Sequence, residues 1–164
     1  MSSREWNGLE DADKDVISQF QETYPVPVGA IAKELGLTVK KATLSAGVSG
    51  EIRQSGGDDF IIRVNRHDVK ARQRFTLAHE IAHYLLHREK IGDGIVDDLL
   101  YRSNLSDRLE AQANRLAADI IMPWGLIQNL LHKYEDLDTE KKIEKIAKDL
   151  GVSTTAIQIR LGKI

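Results

Sequence analysis

A pentapeptide near the middle of the chain, HEIAH at residues 79–83, has the residue types and the spacing of a metal-binding site. It lies within residues 72–87, a run without glycine or proline that is predicted to be helical. Because four residues of helix turn through about 400°, His79 and His83 project from one face and can converge on one ion. Zinc held by three protein ligands keeps a fourth position for water, and Glu80, about 100° around the helix, could take a proton from that water.

Two histidines at this spacing could instead be polar residues on a solvent-facing helix. The residues around them argue against that alternative because they are uncharged, which indicates a largely buried helix. They are Leu77, Ala78, Ile81, Ala82, Leu85 and Leu86. Buried histidines need polar partners, so the segment predicts a metal site rather than an exposed surface.

The composition is that of an ordinary globular protein, with 164 residues of which 41% are hydrophobic and 29% charged. No apolar run approaches the roughly 18 residues of a membrane span and no secretory leader is recognisable, so we expect a cytoplasmic protein without a membrane partner. The chain has no cysteine, so any zinc must be held by histidine and carboxylate. The formal net charge of −2 argues against nucleic acid as the main partner.

Hydrophobic periodicity and turn residues predict an α+β fold in three parts. Residues 1–24 form an acidic arm with a short helix, expected to be solvated. Residues 25–135 form the core, and residues 136–164 form a helix-turn-helix-like unit. The core is expected to contain a small three-stranded sheet, antiparallel or mixed, with strands in residues 37–44, 48–53 and 60–65. Residues 92–107 are predicted to be a loop or a broken helix, and residues 109–121 a long helix.

A site built on two histidines needs a third protein ligand, which commonly lies on a second helix beside the first. Glu110, 27 residues after His83, begins an alanine-rich segment whose small side chains would let two helices approach closely. Two alternatives stay open: Glu110 only complements the dipole of its helix, or Asp107, three residues earlier, is the ligand. Asn114, one turn after Glu110, could hydrogen-bond a ligand.

Two segments of the chain resemble the ImmA/IrrE metallopeptidase family. They are RQRFTLAHEIAHYLLH, residues 72–87, and EAQANRLAADIIMP, residues 110–123. The corresponding family patterns are R-x-R-F-T-x-A-H-E-x-x-H and E-x-x-A-N-x-F-A-A-x-L-L-M-P. The departures are Leu116 in place of phenylalanine and isoleucines in place of the two leucines, which concern packing rather than chemistry. The resemblance covers the chain from Pro25 onward.

The resemblance implies a zincin-like domain in which the HEIAH helix packs on a second, ligand-bearing helix. It also implies that the helical unit of residues 136–164 packs on this core or docks the partner. It implies that His79, His83 and Glu110 bind one zinc ion and that Glu80 is the catalytic base. Such proteins are similar to regulators that cleave a helix-turn-helix repressor and so derepress genes of mobile elements, prophages or stress responses. A repressor of this kind is therefore the expected protein substrate. The same ligands also bind manganese, cobalt or nickel, which leaves the native metal open.

Three further side chains are candidates for lesser roles. His87 continues the histidine series, but it lies about 12 Å along the helix axis from His79, so a structural role or a hydrogen bond to a ligand is expected. His132 and Arg102 are candidate donors to the oxyanion of a tetrahedral intermediate.

Substrate and partner are expected to meet the chain at two places. Residues 60–65 are the predicted edge strand, along which an extended substrate would pair, and residues 141–164 would add selectivity by docking the partner. A function of another class is a non-catalytic regulator that binds DNA or a repressor through the same helices, with the metal only joining two helices. From Asp138 onward the excess of basic residues is small, which is weak support for DNA binding.

Overall fold

The computed structural model describes residues 1–164 and contains eight α-helices and four strands. The helices are α1 Arg4–Asn7, α2 Asp11–Gln19, α3 Val28–Glu34, α4 Lys70–Leu86, α5 Asp107–Ile121, α6 Trp124–Lys133, α7 Thr139–Leu150 and α8 Thr154–Arg160. The strands are β1 Thr38–Ala42, β2 Val48–Gln54, β3 Phe60–Asn65 and β4 Ile95–Asp98. None of the helices has the length and apolar character that a membrane crossing needs. The predicted α+β class is confirmed.

The sheet is mixed and has the order β1-β3-β2-β4. β1 pairs with β3 in parallel, and the other two pairs are antiparallel. Ile52 of β2 lies opposite Ile62 of β3 on one side and Ile95 of β4 on the other, and all three side chains are fully buried. These isoleucines form the centre of the face that packs against the helices.

The prediction of three strands was wrong, because β4 lies inside the segment expected to be a loop or broken helix. Four residues, IVDD, are too few to show a convincing alternation of polar and apolar residues. The predicted edge was wrong as well. β3 lies between β1 and β2, so the edges of the sheet are β1 and β4. No residue of β3 is exposed, which fits this interior position, whereas most of β1 is exposed.

Helix α4 packs between the sheet and α5, and its residues from Thr76 to His83 are all buried. One glycine makes the close approach to the sheet possible. A Cβ atom at Gly50 of β2 would lie 2.5 Å from Thr76 Cγ2 and 3.1 Å from the carbonyl oxygen of Arg63. A larger residue at this position would therefore force the helix and the strand apart.

The N-terminal segment is attached to α5 rather than solvated, which differs from the sequence-based expectation. The backbone amide and the hydroxyl of Ser3 both donate to Asp119, at 2.9 and 2.5 Å. Glu5 is buried and accepts from Arg115 Nη2 at 2.6 Å. The acids of this segment are therefore not all free surface charges.

The C-terminal helices α7 and α8 pack against each other and are joined through Gly151, whose φ of 66° favours glycine. Arg74 of α4 donates to the carbonyl of Gly151 at 3.2 Å and to that of Val26 at 2.8 Å. Arg160 of α8 pairs with Asp119 of α5 at 2.8 Å. These contacts hold the unit on the two central helices. Its helix-turn-helix character, and the division of the chain into three parts, stay predictions.

Candidate metal centre

The two histidines of the HEIAH segment converge as their spacing predicts. They lie one turn apart on α4, both fully buried, with their ring planes at 90° and their Nε2 atoms 3.1 Å apart. The helix alone fixes this arrangement, because residues four apart share one face.

Glu110 comes from the first helical turns of α5. Its Oε1 atom lies 2.9 Å from His79 Nε2 and 3.1 Å from His83 Nε2. The start of the helix is fixed by Ser106, whose hydroxyl accepts from the amide of Leu109 at 3.3 Å. This register turns Glu110 inward and leaves Asp107 exposed to solvent.

Asp97 of β4 is the fourth member of the cluster, and it is not among the residues predicted from the sequence. Its Oδ1 lies 3.5 Å from His79 Nε2 and its Oδ2 lies 3.5 Å from His83 Nε2. The side chain is fully buried, and the donor atoms of the four residues all lie within 4.8 Å of one another. Side chains alternate along a strand, so Asp97 shares the inner face of β4 with the buried Ile95, but four residues are too few to show this alternation in the sequence.

Hydrogen bonds behind the cluster orient both imidazoles. Asn114 Oδ1 lies 2.8 Å from His79 Nδ1, so this ring nitrogen donates and Nε2 keeps its lone pair for the centre. His83 Nδ1 lies 3.0 Å from His87 Nδ1, and His87 Nε2 lies 3.0 Å from Gln112 Oε1. One chain of donors is consistent with these contacts: His83 donates to His87, which donates to the amide oxygen of Gln112.

Opposite charges across the cluster shift its ionisation. Burial lowers the pKa of His79, but the carboxylates of Asp97 and Glu110 outweigh burial and raise the pKa to about 9. Burial raises the pKa of Asp97 and of Glu110, yet the two imidazoles hold both pKa values below the usual range. The cluster therefore favours positive charge at its centre, which suits a cation.

Glu80 lies beside the cluster without sharing its face. It is fully buried, and neither carboxylate oxygen has a hydrogen-bond partner. Burial raises the pKa of Glu80 well above the usual range, and the negative charge of Asp97 raises it further. A carboxylate with a raised pKa is a stronger base near neutral pH than an ordinary glutamate.

The two predicted oxyanion donors are exposed side chains that contact acids outside the cluster. The guanidinium of Arg102 pairs with Asp98 at 3.1 Å and is 64% exposed. His132, on α6, is 83% exposed and lies 3.4 Å from Glu135. Tyr101 does lie beside the cluster. The centre of its ring is 4.8 Å from that of His79, and its hydroxyl is 3.1 Å from the hydroxyl of Thr76.

Tyr101 is also the only residue other than glycine with a left-handed backbone, at φ 56°. Such backbone strain in a large residue persists where the surrounding structure requires that side chain at one place. Nothing in the local sequence marked this tyrosine, because both its backbone conformation and its contact to His79 depend on the fold.

Comparison with known proteins assigns the family. Residues 30–162 match the peptidase family described as the IrrE N-terminal-like domain. The chain belongs to this family. The resemblance noted in the sequence is thereby confirmed, and the IrrE N-terminal-like match includes all four residues of the cluster.

Two relatives of this chain are named radiation response metalloprotease IrrE. The chain is 36% identical to the protein from Deinococcus deserti over 103 residues, which are 60% of this chain and 34% of the relative. It is 34% identical to the protein from Deinococcus radiodurans over 105 residues, which are 58% of this chain and 29% of the relative. The matches thus span about a third of the length of these relatives.

The residues of the cluster fit the metal that the IrrE N-terminal-like family implies. Two imidazole nitrogens and carboxylate oxygens are ligands for borderline divalent ions such as zinc. The carboxylate oxygens of Asp97 are buried without a hydrogen-bond partner, as expected of an atom that faces a cation. The family and the donor set together indicate a divalent metal ion at this place.

Proposed function

We propose that the chain is a zinc-dependent endopeptidase in which His79, His83 and Glu110 hold the metal and Glu80 is the general base. The observation that carries the proposal is the position of Glu80. Its buried carboxylate, free of hydrogen bonds, lies against a compact cluster of three metal donors on two packed helices. Membership of a peptidase family and the metalloprotease names of the two relatives support the same reaction.

The chemistry is hydrolysis of a peptide bond. A divalent metal at the cluster would supply Lewis acidity, which polarises a carbonyl group and acidifies water. Glu80 takes a proton from the attacking water, whose oxygen bonds to the carbonyl carbon. Glu80 then passes that proton to the amine nitrogen as the carbon–nitrogen bond breaks. Asn114 and His87 keep the imidazoles in the orientation that binds metal.

The substrate is proposed to be a protein that presents an extended segment. β4 is an edge strand and carries Asp97, so a strand that paired with its free side would pass next to the cluster. We further propose a helix-turn-helix repressor as the natural substrate, on the strength of the two sequence motifs described above. The C-terminal unit, α7 and α8, is the proposed docking surface.

Glu80→Gln tests the mechanism. The variant should keep the fold and the bound metal, because Glu80 is not a proposed ligand, and it should cleave a candidate repressor roughly 10²- to 10⁴-fold more slowly. Cleavage is measured by electrophoresis and mass spectrometry, and metal content by elemental analysis. Glu89→Gln, the same change at an exposed residue just after α4, is the matched control. Cleavage by Glu80→Gln at the wild-type rate would refute the mechanism.

The alternative, a non-catalytic regulator that binds DNA through α7 and α8, predicts the opposite pattern. Promoter DNA would then shift in an electrophoretic mobility assay, and the Glu80→Gln variant would behave like the wild type. Four exposed or half-exposed lysines of α7 are the feature in its favour: Lys141, Lys142, Lys145 and Lys148. Glu140 and Glu144 are interleaved with them and reduce the positive field.

A further inference from the structure

Asp97 lies next to the three expected ligands, with one oxygen 3.5 Å from Nε2 of His79 and the other 3.5 Å from Nε2 of His83. We propose that Asp97 is a fourth protein ligand, so that the metal centre rests in a closed state and cleavage requires Asp97 to leave the metal. The ligand assignment stands on geometry alone, whereas the closed resting state rests on the proposed peptidase function.

The donor atoms lie close enough together to share one ion, all within 4.8 Å of one another. With metal–donor distances of about 2.0–2.2 Å, two donors of a regular tetrahedron are about 3.3–3.6 Å apart. The Nε2 atoms of His79 and His83 and Oε1 of Glu110 are separated by 2.9 to 3.1 Å. The oxygens of Asp97 lie 3.5 Å from the two nitrogens. The three expected ligands are thus slightly closer together than in a regular tetrahedron, and Asp97, which faces one imidazole with each of its oxygens, lies at the tetrahedral spacing.

The burial of Asp97 indicates the same role. The side chain is 0% exposed, and neither of its oxygens accepts a hydrogen bond. A buried carboxylate without hydrogen bonds is costly unless a cation compensates its charge. Glu110 differs in this respect, because Oε2 of Glu110 accepts from the hydroxyl of Ser103. Among the carboxylates of the cluster, Asp97 thus depends most on the metal for a partner.

The backbone holds Asp97 in this position. Asp97 pairs with Gly50 of β2, next to an irregularity in the register of the two strands. The next residue, Asp98, closes a turn by accepting from the amides of Leu100 and Arg102 at 2.8 and 3.0 Å. The placement of the carboxylate is therefore set by a strand and its turn, not by a freely rotating surface side chain.

Four protein ligands change what the site can do. Catalytic zinc sites keep one position for water or substrate, whereas sites with four protein ligands are closed. With Asp97 bound, no position is left for the carbonyl oxygen of a substrate. β4 is only four residues long and lies at an edge, and it is followed by the exposed Leu99 and Leu100. Because Ile95 at the start of β4 is fully buried, Asp97 would leave the metal by movement of the end of the strand and its turn, not of the whole strand.

The test uses cobalt(II)-substituted protein, because cobalt absorption reports the coordination of the ion directly. Azide, a small anion that binds metals with an open position, is titrated into the wild type and into Asp97→Ala. We expect no spectral change with the wild type and a saturable change with the variant. Zinc affinity, measured by competition with a chelator, should fall at least about tenfold in Asp97→Ala. A wild-type site that binds azide as the variant does would overturn the proposal.

Two controls keep the result interpretable. Asp93→Ala removes the same charge from an exposed residue four positions earlier, and it should leave both the azide response and zinc affinity unchanged. Asp97→Asn preserves the size of the side chain and serves if Asp97→Ala does not fold, which circular dichroism reveals. Azide binding by Asp97→Asn at wild-type levels, with unchanged zinc affinity, would also overturn the assignment.

Cleavage assays separate this inference from the proposed function. We expect Asp97→Ala, loaded with zinc at saturating concentration, to cleave the candidate repressor faster than the wild type, and Asp97→Ala/Glu80→Gln to lose that cleavage. If azide and affinity establish Asp97 as a ligand but no variant cleaves any protein, the peptidase function fails and the ligand assignment stands. If the wild type binds azide and its cleavage depends on Glu80, the ligand assignment of Asp97 fails and the peptidase function stands.

Discussion

His79 and His83 present the same nitrogen to the centre because the opposite nitrogen of each ring is already engaged. Asn114 binds Nδ1 of the first ring, and His87 binds Nδ1 of the second. Burial lowers the pKa of His87, which agrees with a neutral ring that accepts on one side and donates on the other. The two imidazoles are therefore oriented by hydrogen bonds with residues behind them, and these hydrogen bonds select the ring orientation that metal binding needs.

The identity of the third ligand is the sharpest prediction at this scale. Glu110→Ala should lose most of the bound metal, because its carboxylate lies within 3.1 Å of both imidazoles. Asp107→Ala should retain the metal, since Asp107 is exposed on the same helix. Elemental analysis of the two purified variants after equal dialysis decides between them. Full occupancy in Glu110→Ala with loss in Asp107→Ala would place the third ligand one turn earlier.

The sequence predicts the members of the site that lie on one helix face or inside a recognisable motif. The spacing of His79 and His83 determines their relative position, because helix geometry leaves no other choice. Asp97 and Tyr101 have no comparable signal. Each reaches the centre from a short segment whose place depends on strand order, and strand order is a property of long-range packing. Arg102 and His132 were selected for their chemistry alone, and the fold places both in solvent.

Helix α4 approaches the sheet closely only where β2 has no side chain. Gly50 lies under Thr76, and its missing Cβ would also lie 3.5 Å from Oε1 of Glu80. In the sequence, Gly50 appears only as a glycine that lowers the strand preference of its segment. Its importance follows from the packing of β2 against α4, which the sequence does not show. The edge strand was predicted wrongly for a similar reason, because β1 and β3 are parallel neighbours and no hairpin turn indicates such a pair.

Substitution of this glycine tests the contact between the two elements. Gly50→Ala should reduce the free energy of unfolding by about 1–3 kcal/mol, because the new methyl group would meet Thr76 Cγ2 at 2.5 Å. Thr76→Ser removes that methyl and keeps the hydroxyl that contacts Tyr101, so the double variant should recover much of the loss. Urea unfolding measures all three proteins.

Gly29→Ala provides the comparison for Gly50→Ala. Gly29 lies within α3 and has no atom within 4 Å of the position of a Cβ. Alanine there should raise the stability by about 0.4–1 kcal/mol, because it reduces the freedom of the unfolded chain and favours helix.

The Gly50→Ala result has a contrary outcome as well. If Thr76→Ser did not relieve the loss of stability in Gly50→Ala, the carbonyl of Arg63, rather than the threonine methyl, would be the atom that excludes a Cβ at this position.

Helix α5 connects the two ends of the chain to the centre of the molecule. Asp119 accepts hydrogen bonds from Ser3 near the N-terminus and from Arg160 of α8, and Gln21 donates to the carbonyl of the same residue at 2.9 Å. The helix that carries Glu110 at its start thus carries structural attachments toward its end.

The attachment of the N-terminal segment to α5 should depend on pH. A hydrogen bond from Arg115 lowers the pKa of Glu5, and burial opposes that shift without cancelling it. A carboxyl whose pKa is lower in the folded state stabilises the fold above its unfolded pKa, and this contribution is lost as the pH falls through the folded pKa. Glu5→Gln should therefore lower the free energy of unfolding at pH 7, by no more than about 1 kcal/mol because Arg115 is partly exposed.

Urea unfolding of Glu5→Gln and of the wild type at a series of pH values measures this effect. The difference between the two proteins should be largest at neutral pH and shrink progressively below the ordinary glutamate pKa of 4.5, because a protonated Glu5 resembles glutamine. Glu10→Gln, the same change at an exposed acid of the N-terminal segment, should show little difference at any pH. A difference for Glu5→Gln that stayed constant from pH 7 to pH 3 would show that the charge of Glu5 does not hold the segment on α5, and that packing alone does.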